Sequence, residues 1–349
     1  MSLPQRAKAT LVTGGSGFIG LALCEALLSR GENVVAYDGS ALPPRAASHF
    51  ATLPGRLTAV TGDVRDTAAL QLAMEEAEVD RVVTLAAITA NTDRERRAAR
   101  SIFDVNVGGV IATIEAAHTA GVRRVVHVSS GAVYGAAGYQ TDLLVEEQTP
   151  TQPESLYGIS KLTSEQTALR LGSVLGMSIT VGRLGTCFGP WEHGNSSRDT
   201  PSAVLQVISK FKSGDGVLLP RPHRRDWLYS RDAAAAIACL IDDQSPAYAV
   251  YNLAAGFIWS LEDLCGELKS REPSFAWSLS SGEASNIDLY GTHDRAVMSM
   301  ERLARTGFKP GYDLKAATAD YLKWWETADS HANSTDGVRP GATSKMAGS

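Results

Sequence analysis

A glycine-rich turn between an apolar strand and an apolar helix places the strongest constraint on how this chain folds. The turn, Thr13-Gly14-Gly15-Ser16-Gly17-Phe18-Ile19-Gly20, follows apolar residues 9–12 and precedes residues 21–28, whose apolar side chains recur at helical spacing. Gly14 permits a tight turn, Gly17 lets the backbone approach a pyrophosphate, and Gly20 allows the helix to pack closely on the strand. Because free N–H groups at a helix N-terminus favour an anion, the sequence predicts a phosphate-binding turn.

An acidic residue at the end of the second predicted strand indicates which dinucleotide this turn would bind. Residues 32–38 read as a strand, and Asp38 lies 18 residues after Gly20. A carboxylate at that place can accept hydrogen bonds from both hydroxyls of an adenosine ribose, and it repels a 2′-phosphate. The sequence therefore predicts NAD, in preference to NADP, as the cofactor.

Strands and helices alternate through the first half of the chain. Beyond the first two strands, the pattern predicts strands at 56–61, 79–87 and 123–130 and helices at 67–77 and 102–120. Such alternation is typical of parallel βαβ units, in which ligands bind beyond the carboxyl ends of the strands. Asp38, Asp63, Ala86 and Ser130 all lie at or just after such ends, so we expect them along one edge of the sheet.

A tyrosine and a lysine four residues apart lead the next predicted helix, in Tyr157-Gly158-Ile159-Ser160-Lys161. Positions i and i+4 of a helix share a face, so the two side chains point the same way. The ammonium favours the phenolate form of the tyrosine, whose reference pKa is about 10. Such a tyrosine can exchange a proton with a substrate alcohol as a hydride leaves or returns. Ser130 is the serine expected to polarise the same oxygen.

These segments resemble the extended short-chain dehydrogenase/reductases, and within them the NAD-dependent epimerase/dehydratase family. The resemblance extends over roughly residues 9–325 and implies an α/β fold, with a Rossmann-type doubly wound parallel sheet and a smaller C-terminal α/β substrate lobe. Besides the glycine turn, Asp38 and residues 157–161, the matching segments are Gly62-Asp63-Val64, Leu85-Ala86-Ala87, Asn106, Ser129-Ser130-Gly131-Ala132-Val133-Tyr134-Gly135, residues 183–190 and residues 225–232.

The resemblance also implies roles for individual residues. Ser130, Tyr157 and Lys161 are the expected catalytic residues, and a homodimer is expected to pack through the helices that carry Asn106 and Tyr157. The expected substrate contacts are Ser130, Thr186 and Arg225. The residues expected to bind NAD are Gly14, Gly17, Phe18, Ile19, Gly20, Asp38, Asp63, Val64, Leu85, Ala86, Ala87, Asn106, Tyr157 and Lys161.

The βαβ rhythm ends after residues 188–191, which divides the chain into two lobes. We predict a Rossmann domain over residues 1–185, with its sheet completed by roughly 228–258. The predicted substrate lobe comprises residues 186–227 and 259–328, with a loop at 192–200 and helices at 201–211, 261–269 and 315–325. Residues 329–349 carry almost no large apolar side chains, so we predict a disordered tail there.

Two departures from the family pattern bear on the reaction and on the substrate. The 4,6-dehydratases place an acid pair after the catalytic hydroxyl, whereas this chain has Gly131 and Ala132, which disfavours dehydration and also decarboxylation by a nearby glutamate. Residues 183–190 lack the asparagine that many nucleotide-sugar members carry, and residues 283–295 lack an Arg-x-Gly-Asp segment. Arg225 is retained, and its guanidinium can bind a phosphate or a carboxylate bidentately.

Composition argues against several classes of function. The 349 residues carry a net charge of -5 and a pI near 5.8, which argues against a nucleic-acid-binding protein. The four cysteines lie far apart and form no CxxC pair, so we expect reduced thiols, no metal site and a cytoplasmic protein. The longest small-apolar run, residues 233–241, is too short to span a membrane.

The sequence leaves three functions open. The first is epimerisation of a nucleotide sugar, a UDP-hexose or UDP-uronate, which the long second lobe and Arg225 favour. The second is NAD-dependent dehydrogenation of a free sugar, sugar acid or other small alcohol, which the missing nucleotide-sugar contacts favour. The third is a non-catalytic NAD-sensing role, which the intact Ser130, Tyr157 and Lys161 disfavour. We prefer the first, and therefore expect an anionic, sugar-type substrate and a place in carbohydrate metabolism.

Overall fold

The computed structural model describes residues 9–192, 199–280, 284–289 and 293–335, with side chains described as far as residue 327. Its strands, in chain order, are β1 (Ala9–Thr13), β2 (Asn33–Asp38), β3 (Leu57–Thr61), β4 (Arg81–Thr84), β5 (Arg124–Ser130), β6 (Leu143–Leu144), β7 (Ser178–Leu184), β8 (Cys187–Phe188), β9 (Val217–Leu219), β10 (Arg224–Arg225), β11 (Leu228–Tyr229), β12 (Val250–Leu253), β13 (Trp259–Ser260), β14 (Trp277–Leu279) and β15 (Val297–Met298).

The helices follow the predicted alternation, and none in the described part is both long and apolar enough to cross a lipid bilayer. They are α1 (Phe18–Ser29), α2 (Pro44–Phe50), α3 (Thr67–Glu76), α4 (Thr92–Phe103), α5 (Gly109–Thr119), α6 (Leu156–Leu175), α7 (Ala203–Ser213), α8 (Ser230–Asp242), α9 (Leu261–Arg271), α10 (Glu301–Ala304) and α11 (Leu314–Thr335), with 3-10 turns at Gly131–Val133 and Ala136–Tyr139 and a π-helical turn at Asp104–Gly108.

Two predicted boundaries differ from the structure. The single helix expected at 102–120 is interrupted by the π-helical turn Asp104–Gly108, which carries Asn106. Helix α11 continues to Thr335, beyond residue 329 where the tail was predicted to begin. The rest of that tail and most of the predicted loop at 192–200 lie outside the described residues.

Seven strands form one parallel sheet in the order β12-β7-β5-β4-β1-β2-β3, which confirms the predicted Rossmann-type fold. Strand β1 pairs with β2 on one side and with β4 on the other. The strand order therefore reverses at β1, and in open α/β sheets this reversal creates the crevice in which ligands bind. The glycine turn follows β1 directly, so the fold places it at the mouth of the crevice.

Helices cover both faces of the sheet, and the strands are correspondingly apolar on both sides. Leu11 and Val12 are adjacent on β1 and fully buried, but they join different core clusters because successive strand residues point to opposite faces. One cluster contains residues of α1, which packs against α8. The other contains residues of α3, α5 and α6.

The second lobe has an apolar core of its own, built from α7, α9, α11 and the parallel pair β9–β14. Phe188 lies at its centre, with its ring centroid 5.3 Å from that of Trp259 and 6.5 Å from that of Trp227, in both cases edge to face. Strand β8, which carries Phe188, pairs with β11 near the main sheet. The lobe is thereby anchored beside the crevice.

Candidate active site

The glycine turn is fixed against the second strand by backbone hydrogen bonds. The amides of Gly14 and Gly15 donate to the carbonyl of Tyr37 at 2.8 and 3.3 Å. Gly14 has a φ of 72°, and a Cβ there would lie 2.7 Å from the amide nitrogen of Ala86. A Cβ on Gly20 would clash with the carbonyl of Gly14. These contacts account for glycine at both positions and leave the first turn of α1 open towards the cleft.

Asp38 ends β2 at the rim of this turn, as predicted. Its Oδ2 accepts a hydrogen bond from the amide of Ser16 at 3.1 Å, and its Oδ1 accepts one from the amide of Ser40 at 2.9 Å. An ionised carboxylate can accept about four hydrogen bonds, so capacity remains for the two hydroxyls of a ribose. The backbone contacts hold the carboxylate in place before any ligand arrives.

Asp63 lies at the cleft with its carboxylate paired to a neighbour. The Arg65 amide donates to its Oδ1 at 2.9 Å, and the Arg65 guanidinium pairs with its Oδ2 at 2.5 Å. These hydrogen bonds lower the pKa of Asp63 to about 2. The following residue, Val64, packs on Gly109, where a Cβ would lie 2.6 Å from the Val64 side chain. The sequence pattern does not reveal the pairing with Arg65.

The three predicted catalytic residues line one cleft. Helix α6 begins with the Ser155 side chain accepting from the amide of Gly158 at 3.0 Å, which positions Tyr157 in the first turn. One turn later, the Lys161 ammonium donates to the carbonyl of Val128 at 2.6 Å and is almost fully buried. Burial lowers the pKa of Lys161 to about 8. Ser130 ends β5, and its Oγ accepts from the amide of Ala132 at 3.1 Å.

Asn106 is absent from the described cleft lining, although it was expected to contact the cofactor. Its fully buried side chain accepts from the amide of Ile88 at 2.7 Å and donates to the carbonyl of the same residue at 3.1 Å. It also donates to Oγ of Ser160 at 2.9 Å, and that hydroxyl donates to the carbonyl of Tyr157. Asn106 therefore joins the segment after β4 to the helix that carries Tyr157.

The far end of the cleft is formed by the second lobe. It includes the predicted Thr186 and Arg225, together with His223, Trp227 and Arg295. Arg225 donates from Nε to Nε2 of His223 at 3.0 Å, and burial together with the nearby Arg295 lowers the pKa of Arg225 to about 10. Burial and the adjacent Arg225 and Arg221 lower the pKa of His223 to about 4. The imidazole is therefore neutral at pH 7 and accepts the Arg225 hydrogen bond.

Arg295 is the site residue that the sequence pattern misses. It is the last residue of the stretch 283–295, in which an Arg-x-Gly-Asp motif is absent. Because it does not match the motif, only the packing of the second lobe shows that it reaches the cleft. Among the aromatic residues of this region, Trp227 lines the cleft, whereas Trp191 packs edge to face on Phe50 and Trp324. His193 lies outside the described residues.

The cleft is one continuous space of about 1060 Å³ that runs from Asp38 past Tyr157 to Arg225. That volume is at the upper end of the range for small-molecule sites. Apart from Asn106, every residue predicted to bind the cofactor lines it, as do the three predicted substrate contacts and Cys187. One cleft therefore brings together the glycine turn, the predicted catalytic residues Ser130, Tyr157 and Lys161, and the two arginines of the second lobe.

Two curated relatives illustrate what the chain is similar to. Sterol demethylase protein B of Methylococcus capsulatus is 35% identical over 209 residues, which are 59% of this chain and 57% of that protein. The dTDP-D-glucose 4,6-dehydratase of Bos taurus is 25% identical over 325 residues, which are 91% of this chain and 89% of that protein.

Solved structures share the fold across nearly the whole chain. MoeE5 in complex with UDP-glucuronic acid and NAD has a TM-score of 0.74 and 24% identity, with 92% of this chain and 99% of that chain covered. The epimerase Mth375 from Methanothermobacter thermautotrophicus has a TM-score of 0.77 and 21% identity, with 94% and 95% covered.

A protein-family model provides the assignment. The model described as the NAD dependent epimerase/dehydratase family matches residues 10–254, which include the glycine turn, Asp38, Ser130, Tyr157 and Lys161. The match covers most of the chain and contains the seven strands of the parallel sheet except for Ala9, the first residue of β1. The chain therefore belongs to the NAD-dependent epimerase/dehydratase family of the extended short-chain dehydrogenase/reductases, and it is an enzyme whose cofactor is NAD.

Proposed function

We propose that this enzyme epimerises a nucleotide sugar by transient oxidation of a secondary alcohol. The observation that carries the proposal is the order of groups along one cleft. Asp38 ends β2 beside the glycine turn that follows β1, and Ser130 ends β5 farther along the sheet, with Lys161 of α6 bonded to the same strand. Arg225 comes from the second lobe and completes the lining. An extended substrate with an anionic end and a reactive alcohol matches this order.

In this proposal the glycine turn binds the pyrophosphate of NAD at the N-terminus of α1, and Asp38 binds the adenosine ribose. Leu85, Ala86 and Ala87 follow β4 and border the same part of the cleft. Asn106 acts indirectly, because its amide holds the backbone of Ile88 in this segment. When bound, NAD supplies a hydride acceptor that can return the hydride in the reverse direction.

Three side chains of this protein would take part in the proton transfer. Tyr157 accepts the proton of the substrate alcohol and gives it back when the alcohol is restored. The Lys161 ammonium lies one helical turn away and favours the phenolate form of Tyr157. Ser130 donates a hydrogen bond to the same substrate oxygen, as a hydroxyl beside a reacting carbonyl does. A hydride returned to the opposite face of the ketone would invert the carbon.

Dehydration is disfavoured although several curated relatives are named dTDP-glucose 4,6-dehydratases. β-Elimination of water needs an acid and a base of its own beside the reacting carbon. The residues after Ser130 are Gly131 and Ala132, which provide neither. The side chains that pack against Gly131 are those of Arg295 and Met298, and neither a guanidinium nor a thioether is a carboxylic acid.

The nucleotide-sugar assignment is supported by the cationic end of the cleft and by related structures. Arg225 can bind a phosphate through its guanidinium, and His223 accepts from its Nε while the remaining donors stay available. Neighbouring structures were solved with UDP-glucuronic acid and with UDP-glucose.

We also propose a homodimer through α5 and α6, because α6 exposes the apolar side chains of Ile159 and Val174.

A second candidate is NAD-dependent dehydrogenation of a smaller or non-nucleotide alcohol. It is supported by the relative named sterol demethylase protein B, whose name points away from sugars. The same Ser130, Tyr157 and Lys161 would perform the oxidation, and NADH would leave with the ketone. A purely NAD-sensing role is the third candidate, and the complete catalytic trio argues against it.

The two leading candidates differ in the fate of the hydride. The purified enzyme is incubated with UDP-glucose, UDP-galactose and UDP-glucuronate without added NAD, and products are separated by chromatography. Conversion to the epimer without accumulation of NADH supports the proposal. Steady NADH formation with a free sugar, sugar acid or sterol, and no epimer, would replace it with the second candidate. Tyr157→Phe is the matched inactive control.

A further inference from the structure

Arg295 reaches the reacting centre because two glycines leave room for its side chain. Gly131 directly follows Ser130, and a Cβ on Gly131 would lie 2.5 Å from NH1 of Arg295. A Cβ on Gly138 would lie 2.8 Å from Cγ of the same arginine. The guanidinium therefore lies against the backbone of the residue that follows Ser130.

The charge of Arg295 is only weakly compensated by the protein. Its one carboxylate neighbour in the described structure is Asp226, with NH2 3.7 Å from Oδ1. Oδ2 of Asp226 is occupied by the amide of Met298 at 2.9 Å. Nε of Arg295 is buried without a hydrogen-bond partner among the described residues, and the side chain is 11% exposed. A buried guanidinium with unused donors favours an anion that the protein itself does not provide.

A second cation near Arg295 further favours a negatively charged ligand. Arg225 lies close enough to Arg295 for the two charges to repel, and both line the cleft. Asp294 and Asp226 offset part of the charge of Arg225, but the oxygens of Asp294 already accept from Arg221, from His223 and from the amide of Arg224. Nε1 of Trp227, which also lines the cleft, has no partner among the described residues.

We propose that Arg295 binds a carboxylate carried by the substrate next to its reacting hydroxyl, so that the preferred substrate is a uronate. This inference rests on the proposed function and narrows it from nucleotide sugars in general to their acids. The phosphates of a nucleotide sugar are separated from the reacting alcohol by the sugar ring, whereas Arg295 lies beside Ser130. A planar guanidinium and a carboxylate form a bidentate pair that also orients the ring.

UDP-glucuronate and UDP-glucose form a matched pair of substrates, because they differ only in the carboxylate on the carbon beside the 4-hydroxyl. The measurement is kcat/KM for both, in the wild type, Arg295→Met, Arg295→Lys and Gly131→Ala. Arg295→Met is expected to lower the glucuronate-to-glucose ratio about 10- to 100-fold, the loss typical of a charged hydrogen-bonded contact. Arg295→Lys should restore part of the ratio because it keeps the charge.

Gly131→Ala tests the geometry without removing a charge. The new methyl group displaces the guanidinium, so the ratio should fall in the same direction as for Arg295→Met. Arg305→Met is the control for loss of an arginine, since Arg305 is 59% exposed and absent from the described cleft lining. NAD binding, measured by calorimetry, checks that each variant is folded.

The outcomes separate this inference from the proposed function. If UDP binds and both sugars react, but the ratio is the same in Arg295→Met and in the wild type, the assignment of Arg295 is wrong. A wild-type preference for UDP-glucose would also overturn it. If UDP does not bind and neither sugar reacts, the proposed function is wrong, and the assignment of a uronate substrate is wrong as well.

Discussion

Replacing Lys161 with methionine should abolish turnover and yet stabilise the nucleotide-free protein near pH 7. Burial lowers the pKa of Lys161 from 10.5 to about 8. At about 1.4 kcal/mol per pKa unit, the charged side chain costs the folded state roughly 3 kcal/mol below pH 8. Methionine removes this cost. In the wild type, however, the Val128 carbonyl accepts a hydrogen bond from Nζ of Lys161 at 2.6 Å, and in the variant it loses this donor. That loss is about 1–2 kcal/mol, so the net gain is about 1–2 kcal/mol, or a few degrees in Tm.

The difference in stability between Lys161→Met and the wild type should depend on pH. Between about pH 8 and pH 10.5 the unfolded wild-type chain binds more protons than the folded chain, so wild-type stability rises relative to the variant across this window. The advantage of Lys161→Met should therefore shrink as the pH rises above 8, vanish near about pH 9 and be reversed by about pH 10.5, because the wild type regains about 1.4 kcal/mol per pH unit in this window. Below pH 8 both states hold the proton, and the advantage should be constant.

The assay is differential scanning calorimetry of nucleotide-free protein at several values between about pH 7 and pH 9.5. Lys309→Met, at an exposed position, is the control for loss of a lysine. A variant that is less stable than the wild type near pH 7, or a difference in Tm that does not change with pH, would refute the reasoning about the buried ammonium.

Three further changes test other parts of the site and its support. Tyr157→Phe should lower turnover at least 100-fold, by about the contribution of general acid–base catalysis, while the variant still binds NAD; a variant that keeps most of its rate rules out the proton-transfer role. Asp38→Ala should reduce the NAD-over-NADP preference in Kd about 10-fold or more, and an unchanged preference would mean that this carboxylate does not bind the ribose. Glu165→Gln should destabilise the fold by about 3 kcal/mol in denaturant unfolding, because Arg183, 6% exposed and 2.6 Å away, loses its counter-charge. An equal effect of Glu147→Gln, whose carboxylate is 68% exposed, would contradict this explanation.

Local signals in the sequence account for most of the cofactor end of the cleft. The glycine turn, Asp38 and the residues after β4 were all predicted, and all line the cleft. Each depends on a short-range rule, such as the steric demand of a turn or the acid at the end of a strand. Asn106 was expected at the cofactor only from the family resemblance, and no local rule predicts that the π-helical turn which carries it brings its amide to the Ile88 backbone.

The contacts at the substrate end of the cleft could not be predicted, because they form through packing between segments far apart in the sequence. In the sequence, Gly131 shows only that no acidic residue follows Ser130. Arg295 belongs to a stretch that lacks the Arg-x-Gly-Asp segment, so the sequence assigns it no role. The fold brings the two into contact because the second lobe returns strand β15 to β6, which holds Arg295 beside the 3-10 turn after Ser130. No periodicity or local propensity encodes such a contact, since it arises from how two lobes pack.

By itself the sequence determined the parallel α/β fold, the preference for NAD and the Tyr157–Lys161 pair on one helical face. These follow from turn geometry, strand-helix alternation and i, i+4 spacing, which act over a few residues. Only the tertiary structure decided that Lys161 is buried against the Val128 carbonyl and that Arg295 lies beside Ser130. Burial and charge proximity are properties of the packed chain, and no short stretch of sequence encodes them.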